Sequence, residues 1–263
     1  MASNGIVLRH IFILLTTVVL CATAPVSRAA ESGESWDLPR SIGQIILTVY
    51  GTNAQFSAMA HSLVQHPARN QAVNQHMLFY FKGGQFTAHY DVPIARDASK
   101  LGMTYIYLRD LNKAYLLANG PPTSDLAGGC SVPLPETLGT NVPLPKVEKK
   151  TIDRQTVDGH PCTIVQAVAK LADGSKLDVL LWEASDLHRF PVRIQSELNG
   201  APVTTTFDEI KIERQPEGRF DVGILNPKSQ YFENPQDMIN DMTDNLLRWK
   251  DAQRRKLDKE MKK

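Results

Sequence analysis

Between residues 76 and 212 the chain alternates apolar and polar positions in runs that are broken by turn residues at regular intervals, which is the pattern of antiparallel strands. Gly83-Gly84 and Asn199-Gly200 are two-residue loops of the kind that join hairpins, so the register on either side follows by counting. About the first, Phe81 opposes Phe86, Phe79 opposes Ala88 and Met77 opposes Tyr90. The alternate set pairs Lys82 with Gln85, Tyr80 with Thr87, Leu78 with His89 and His76 with Asp91. About the second, Leu198 meets Ala201, Ser196 meets Val203, Ile194 meets Thr205 and Val192 meets Phe207, with Arg193, Gln195, Glu197, Thr204 and Thr206 on the other side. Both hairpins therefore have one apolar face, which predicts an antiparallel sheet with one side buried and one side wet.

Other segments complete the pattern. Counting from Asp173-Gly174 pairs Val168 with Val179, Ala167 with Leu180 and Val165 with Trp182. The run 104–108 answered by 114–118 is apolar on both faces, so it requires a cover on its second side. The apolar phase flips between Phe207 and Ile210, which predicts a bulge near Asp208-Glu209. Asn234-Pro235 marks a helix start, with Asp237 in the first turn and Ile239, Met242, Leu246 and Trp249 on one stripe. From Lys250 onward this helix is expected to fray. Residues 41–50 fit both helical spacing and alternation, and helix is favoured. Residues 119–145, with six prolines and four glycines, read as a long surface excursion.

Composition adds compartment and excludes one class of partner. With 29 Lys+Arg against 28 Asp+Glu and 42% apolar residues, the chain can bury a core, and it lacks the basic excess that nucleic-acid binding needs. Residues 1–30 read as a secretory signal, with Arg9 and His10 before the uncharged stretch 11–24 and small residues around Ser27-Arg28-Ala29. Val19 and Leu20 before Cys21 do not make a lipidation site. The expected location is periplasmic or secreted. Cys130 and Cys162 are then the two remaining cysteines in an oxidising compartment, and a disulfide between them is expected, closing a loop of about 30 residues.

The order of elements resembles a known family. An apolar helix-like start, Phe56-Ser-Ala-Met-Ala60, a Gly-centred hairpin, the run from Tyr105 to Tyr115, Leu181-Trp182, Phe190-Pro-Val-Arg193, Asn199-Gly200, the run from Val203 to Phe207 and Phe220-Asp-Val222 resemble the periplasmic lipoprotein carriers of the LolA and LolB type, in particular their outer-membrane lipoprotein-sorting-like members. The resemblance covers residues 40 to 225. It implies an α+β fold, an antiparallel incomplete (half) β-barrel whose concave face is covered by helices and accepts acyl chains. Met77, Phe79, Phe81, Phe86, Tyr90, Val192, Ile194 and Phe207 would line that hollow. The domain plan is a signal at 1–30, a half-barrel domain at 31–232 and a C-terminal amphipathic helix with a charged tail at 233–263.

Candidate chemistry is sparse. The sequence contains no G-x-S-x-G, H-E-x-x-H, P-loop or dinucleotide fingerprint. His76 and His89 share a polar hairpin face out of direct opposition and read as solvated strand residues, so no metal or cofactor is expected. Asp208-Glu209 and Glu183 read as turn and edge charges. Non-enzymatic binding of a lipid or acyl chain is the leading expectation, with an envelope protein or a membrane surface as a further partner for the C-terminal helix. The alternative is a structural or interaction module of the cell envelope with a filled core and no ligand.

Overall fold

The computed structural model describes residues 37–66, 71–93, 100–119, 127–134, 138, 142–220 and 230–261; the expected signal segment and parts of the 119–145 excursion lie outside them. Helix α1 (Asp37–Tyr50) is followed by eleven strands, β1 (Gln55–His66), β2 (Gln71–Lys82), β3 (Gln85–Pro93), β4 (Lys100–Leu108), β5 (Lys113–Asn119), β6 (Ala127–Val132), β7 (Val147–Val157), β8 (His160–Lys170), β9 (Lys176–Ala184), β10 (Phe190–Leu198) and β11 (Ala201–Lys211). The short β12 (Gln230–Phe232) then leads into α2 (Pro235–Glu260). All twelve strands form one sheet in the order β12-β6-β5-β4-β3-β2-β1-β11-β10-β9-β8-β7. Among the described residues only β12 and β6 pair in parallel. The sheet is open, an incomplete barrel of the α+β class with its helices gathered on the inner face.

The pairings about Gly83-Gly84 are those expected, from Lys82 with Gln85 to Met77 with Tyr90. About Asn199-Gly200 they run from Leu198 with Ala201 to Arg193 with Thr206. Both glycine-containing turns place residues in the left-handed region (φ 62 and 84 at Gly83 and Gly84, 50 and 80 at Asn199 and Gly200), which glycine and asparagine tolerate best. The β1–β11 ladder gains a residue on β11 between its pairs Met59 with Asp208 and Ser57 with Lys211. Glu209 takes φ 47 there, so the bulge falls where the apolar phase flips. The second apolar face of β4 and β5 is covered as required: Phe220 joins Tyr80, Ile106 and Leu108 in a separate buried cluster, with Leu78, Tyr115 and Leu117 packed against it.

Several expectations are corrected. Across Asp173-Gly174 the pairs are Val168 with Asp178, Ala167 with Val179 and Val165 with Leu181, one residue out from the count. The loop is longer than two residues: Leu171 and Ser175 are joined by a backbone hydrogen bond of 2.9 Å, with Lys170 opposite Lys176. Cys130 and Cys162 are both free and buried. They sit on β6 and β8, near opposite ends of the strand order, and in different clusters. Eight strands stand between β6 and β8 in the sheet, and no disulfide joins the two residues. The final turns of α2 do not fray: the helix continues to Glu260, with its residues exposed from Asp251 onward.

Candidate functional site

The inner face is built from rows that run across the strands. One row is Phe56, Phe81, Phe86, Tyr107 and Ala114 on β1 to β5; the next is Ala58, Phe79, Ala88, Tyr105, Leu116 and Cys130; a third is Phe207, Ala60, Met77, Tyr90, Met103 and Ala118. Small residues flank large ones at several points, with Phe79 between Ala58 and Ala88 and with Ala60 between Phe207 and Met77, which leaves room for the larger side chains to pack at interior density. Phe86 stands at the centre, with ring centroids 5.5 Å from Phe79, 5.7 Å from Tyr105 and 5.2 Å from Tyr107. Phe190 closes the other side, 4.6 Å from Phe56 and 5.5 Å from Phe207.

Of the residues expected to line the hollow, Met77, Phe79, Phe81, Phe86, Tyr90, Ile194 and Phe207 lie in this one buried cluster. Val192 does not. The β9–β10 register shifts between Pro191 and Arg193, and Val192 packs instead with Val157, Cys162, Trp182 and Ala184. A bulge reverses the facing of a side chain that strict alternation would place inward.

Helix α1 occupies the inner face. Leu38, Ile42, Ile45, Ile46 and Leu47 are all buried against it, on the stripe that three- and four-residue spacing produces. Gly43 lies flat on the Phe86 ring: a Cβ built on it would stand only 2.2 Å from the ring's Cζ. With α1 in place, Met77, Phe79, Phe81 and Phe86 are 0% exposed. Two hollows lie elsewhere among the described residues. One of about 250 Å³ is lined by residues including His61, Gln75, His76 and Thr206, and the other, about 470 Å³, by residues including His160, Phe207, Asp208 and Ile210. Phe207 alone among the expected lining residues borders either of them.

The C-terminal end of α1 is tied to the sheet by a charged cluster that strand alternation does not reveal. Glu183, 1% exposed, accepts a hydrogen bond from the Tyr50 hydroxyl at 3.2 Å and from Lys149 Nζ at 2.7 Å. Arg189 donates to it through Nε at 3.0 Å and Nη2 at 2.7 Å. Lys149 also lies over the Tyr50 ring, 4.6 Å from its centroid. Burial, and next the Glu183 carboxylate, push the Tyr50 hydroxyl well above its usual value, so it stays a donor. His188 and Arg189 carry φ 52 and 64. Non-glycine residues in that region cost about 1 kcal/mol or more each, so the turn that aims Arg189 at Glu183 is held by its surroundings. Glu183 is thus a buried anchor and not an edge charge.

At the other end of α1, Asp37 and Arg40 form an ion pair at 2.6 Å. On the same inner face the hydroxyls of Tyr90 and Tyr105 are buried with no hydrogen-bond partner among the described residues. Burial raises both far above the ordinary phenol range. Each unsatisfied hydroxyl costs about 1–3 kcal/mol. Tyr107, by contrast, donates to the Leu138 carbonyl, and burial pushes it up to about 12. The Cys130 thiol is pushed up to about 11, again by burial, so it is an inert core group.

Sequence reasoning passed over three features. Gly43 inside an apolar helical stripe signals close backbone approach. Glu183 within Leu-Leu-Trp-Glu-Ala is an acid in a buried run, which calls for a cation. His61 carried no signal of its own; it meets His76 only through the β1–β2 register.

No protein-family profile matches the chain, and no curated protein does. Among solved structures it is similar to PNGF-II (11% identity, TM-score 0.36), with 72% of this chain matched and about a third, 32%, of that protein's length spanned. It is also similar to a LolA superfamily protein from Nitrosomonas europaea (10% identity, TM-score 0.35, 66% of this chain and 92% of that one). A third is the lipoprotein LppX from Mycobacterium tuberculosis (12% identity, TM-score 0.37, 68% of this chain and 100% of that one). Likenesses at this level carry no conclusion about function.

Proposed function

We propose that this protein is a non-enzymatic carrier or sensor that binds an acyl chain or another apolar ligand on the inner face of its sheet, in place of helix α1. The observation that carries the reading is that a continuous aromatic and aliphatic face drawn from many strands is covered not by a second sheet but by amphipathic helices, with α1 lying over its centre at Phe86 and α2 packed in the same cluster. Helix α1 is an apolar rod of about 20 Å, at 1.5 Å per residue, which an extended acyl chain can replace. Affinity would come from apolar burial at about 25 cal/mol per Å², with little directional selectivity. The unpaired Tyr90 and Tyr105 hydroxyls support the reading, because a ligand oxygen arriving at that corner would satisfy donors that the closed form leaves unmet. Export and cell-envelope residence follow from the leader-like residues 1–30 and belong to the same proposal.

The second reading, an envelope interaction module with a filled core, is favoured by the completeness of the α1 cover and by the exposed second half of α2, which ends in Leu257 and Met261, 59% and 78% exposed. Native mass spectrometry of the purified protein, followed by solvent extraction, separates the two. Reproducible co-purifying acyl species, or saturable uptake of a fluorescent fatty acid, are the expected result. A ligand-free mass with no uptake overturns the carrier reading.

A further inference from the structure

The outer face of the three central strands carries a pair of histidines that the apolar inner face does not explain. His61 on β1 stands directly opposite His76 on β2 and opposite Thr206 on β11. Direct cross-strand neighbours hold their Cβ atoms about 5 Å apart, which brings two imidazoles together. Their Nδ1 atoms approach to 2.5 Å, with the rings edge-to-face. On the far side of His61, Nε2 lies 2.9 Å from Oδ2 of Asp208, the residue at the start of the β11 bulge.

This geometry determines where the lone pairs point. A carboxylate only accepts, so the proton of neutral His61 resides on Nε2, and its Nδ1 presents a bare lone pair to His76. His76 either donates a proton along that line or, as the other tautomer, presents a second lone pair to the same point. A carboxylate behind a histidine that offers its other nitrogen is the arrangement that orients metal-bound imidazole and raises its basicity. Among the described residues no group of three or more His, Cys, Asp or Glu converges, so protein supplies two nitrogens and water must supply the rest. The adjoining hollow of about 250 Å³, lined by Asn74, Gln75, Thr204 and Thr206 beside the two histidines, has room for several waters at about 30 Å³ each.

We propose that His61 and His76 form a two-histidine site for a late first-row divalent metal ion, copper(II) before nickel or zinc, with Asp208 as the positioning carboxylate of His61. Two imidazoles with water oxygens suit the tetragonal N,O shell of copper(II), which also stands highest in the general affinity order, and no thiolate is present to favour a softer ion. Metal–nitrogen bonds of about 2.0–2.1 Å require the two Nδ1 atoms to sit about 3 Å apart. The rings reach that by opening about half an ångström, and His61 and Asp208, at 34% and 60% side-chain exposure, are not packed against such a rotation. The site lies on the opposite face from the apolar cluster and does not depend on whether a lipid binds there.

The test is a titration of chelator-stripped, full-length protein with copper(II), read by calorimetry and by electron paramagnetic resonance. One equivalent with two-nitrogen coordination is expected. His61→Asn and His76→Asn should each weaken binding at least 30-fold, Asp208→Asn about tenfold with the two-nitrogen signature retained, and His89→Asn not at all. Thermal melts check that each variant is folded. A copper signal that survives His61→Asn or His76→Asn, or wild-type protein whose spectrum shows fewer than two nitrogens, overturns the proposal. So does an absence of binding tighter than about 100 µM, which would leave the pair as a proton-sharing contact.

Discussion

Substituting Gly43 with alanine places a single methyl group between α1 and the sheet. The added Cβ would stand 2.2–2.4 Å from three atoms of the Phe86 ring, whereas ordinary contact begins at 3.4 Å, so helix or ring must retreat by about 1.2 Å. Phe86 has nowhere to go, being 0% exposed and ringed by Phe79, Phe81, Tyr105 and Tyr107. The helix therefore lifts. Overpacking of this size costs about 1–3 kcal/mol, and alanine returns about 1 kcal/mol of helix propensity relative to glycine, leaving a net loss of up to about 2 kcal/mol in the α1–sheet contact. If ligand and α1 compete for one surface, that loss raises the fraction of open protein and tightens apparent affinity by up to about 30-fold, since each 1.4 kcal/mol is a factor of ten. Two assays read it: hydrogen exchange over residues 37–50 against β2 to β4, and titration with a fluorescent fatty acid. Faster exchange confined to α1, with tighter uptake, is expected. Unchanged exchange in α1, or a loosened α1 with no gain in affinity, refutes the reasoning.

Phe81→Asp buries a carboxylate where a fully enclosed ring now stacks 5.6 Å from Phe56, and should cost more than the ~3–5 kcal/mol of a Phe→Ala truncation; an unchanged melting temperature would show that Phe81 does not face inward. Cys130 and Cys162 should both react with a thiol reagent once the unreduced protein is unfolded in guanidinium, and reductant should leave the melting temperature unchanged; an unfolded, unreduced chain lacking both thiols would restore the disulfide. The His89 imidazole is held below its usual value by burial and next by Arg219, so its neutral form is favoured in the folded state. Stability from this group is complete above the unfolded value of about 6.5 and is lost as pH falls through it, because the unfolded chain takes up the proton first. His89→Gln should therefore lose less melting temperature than wild type between pH 7.5 and 5.5, and an identical loss would contradict the assignment.

Why some of this was legible from residues alone and some was not follows from particular elements. The Gly83-Gly84 and Asn199-Gly200 hairpins could be read to the residue because a two-residue loop leaves one register and a one-sided pattern checks it. The hairpin at Asp173-Gly174 offers no such check: its loop is longer, and Leu180 and Trp182 make both faces partly apolar, so a count from the turn slips by one residue. Strict alternation puts Val192 on the wrong face because the register shifts between Pro191 and Arg193, a local backbone event with no compositional signal. The expected disulfide was a compartment argument, and compartment says nothing of distance; the two cysteines are set apart by strand order, which the sequence between them does not encode locally. The α1 cover was foreseen as a helix, but its intimacy with Phe86 through Gly43, its anchor at Glu183 and the His61–His76 contact all depend on long-range register.

The central claim, that a ligand and α1 compete for one apolar face, is tested most directly by hydrogen exchange of the wild-type protein with and without saturating palmitate. Palmitate should accelerate exchange over residues 37–50 while slowing or leaving unchanged the strands that carry Phe79, Phe81 and Phe86. Palmitate bound with α1 equally or better protected would contradict the account, as would no binding at all.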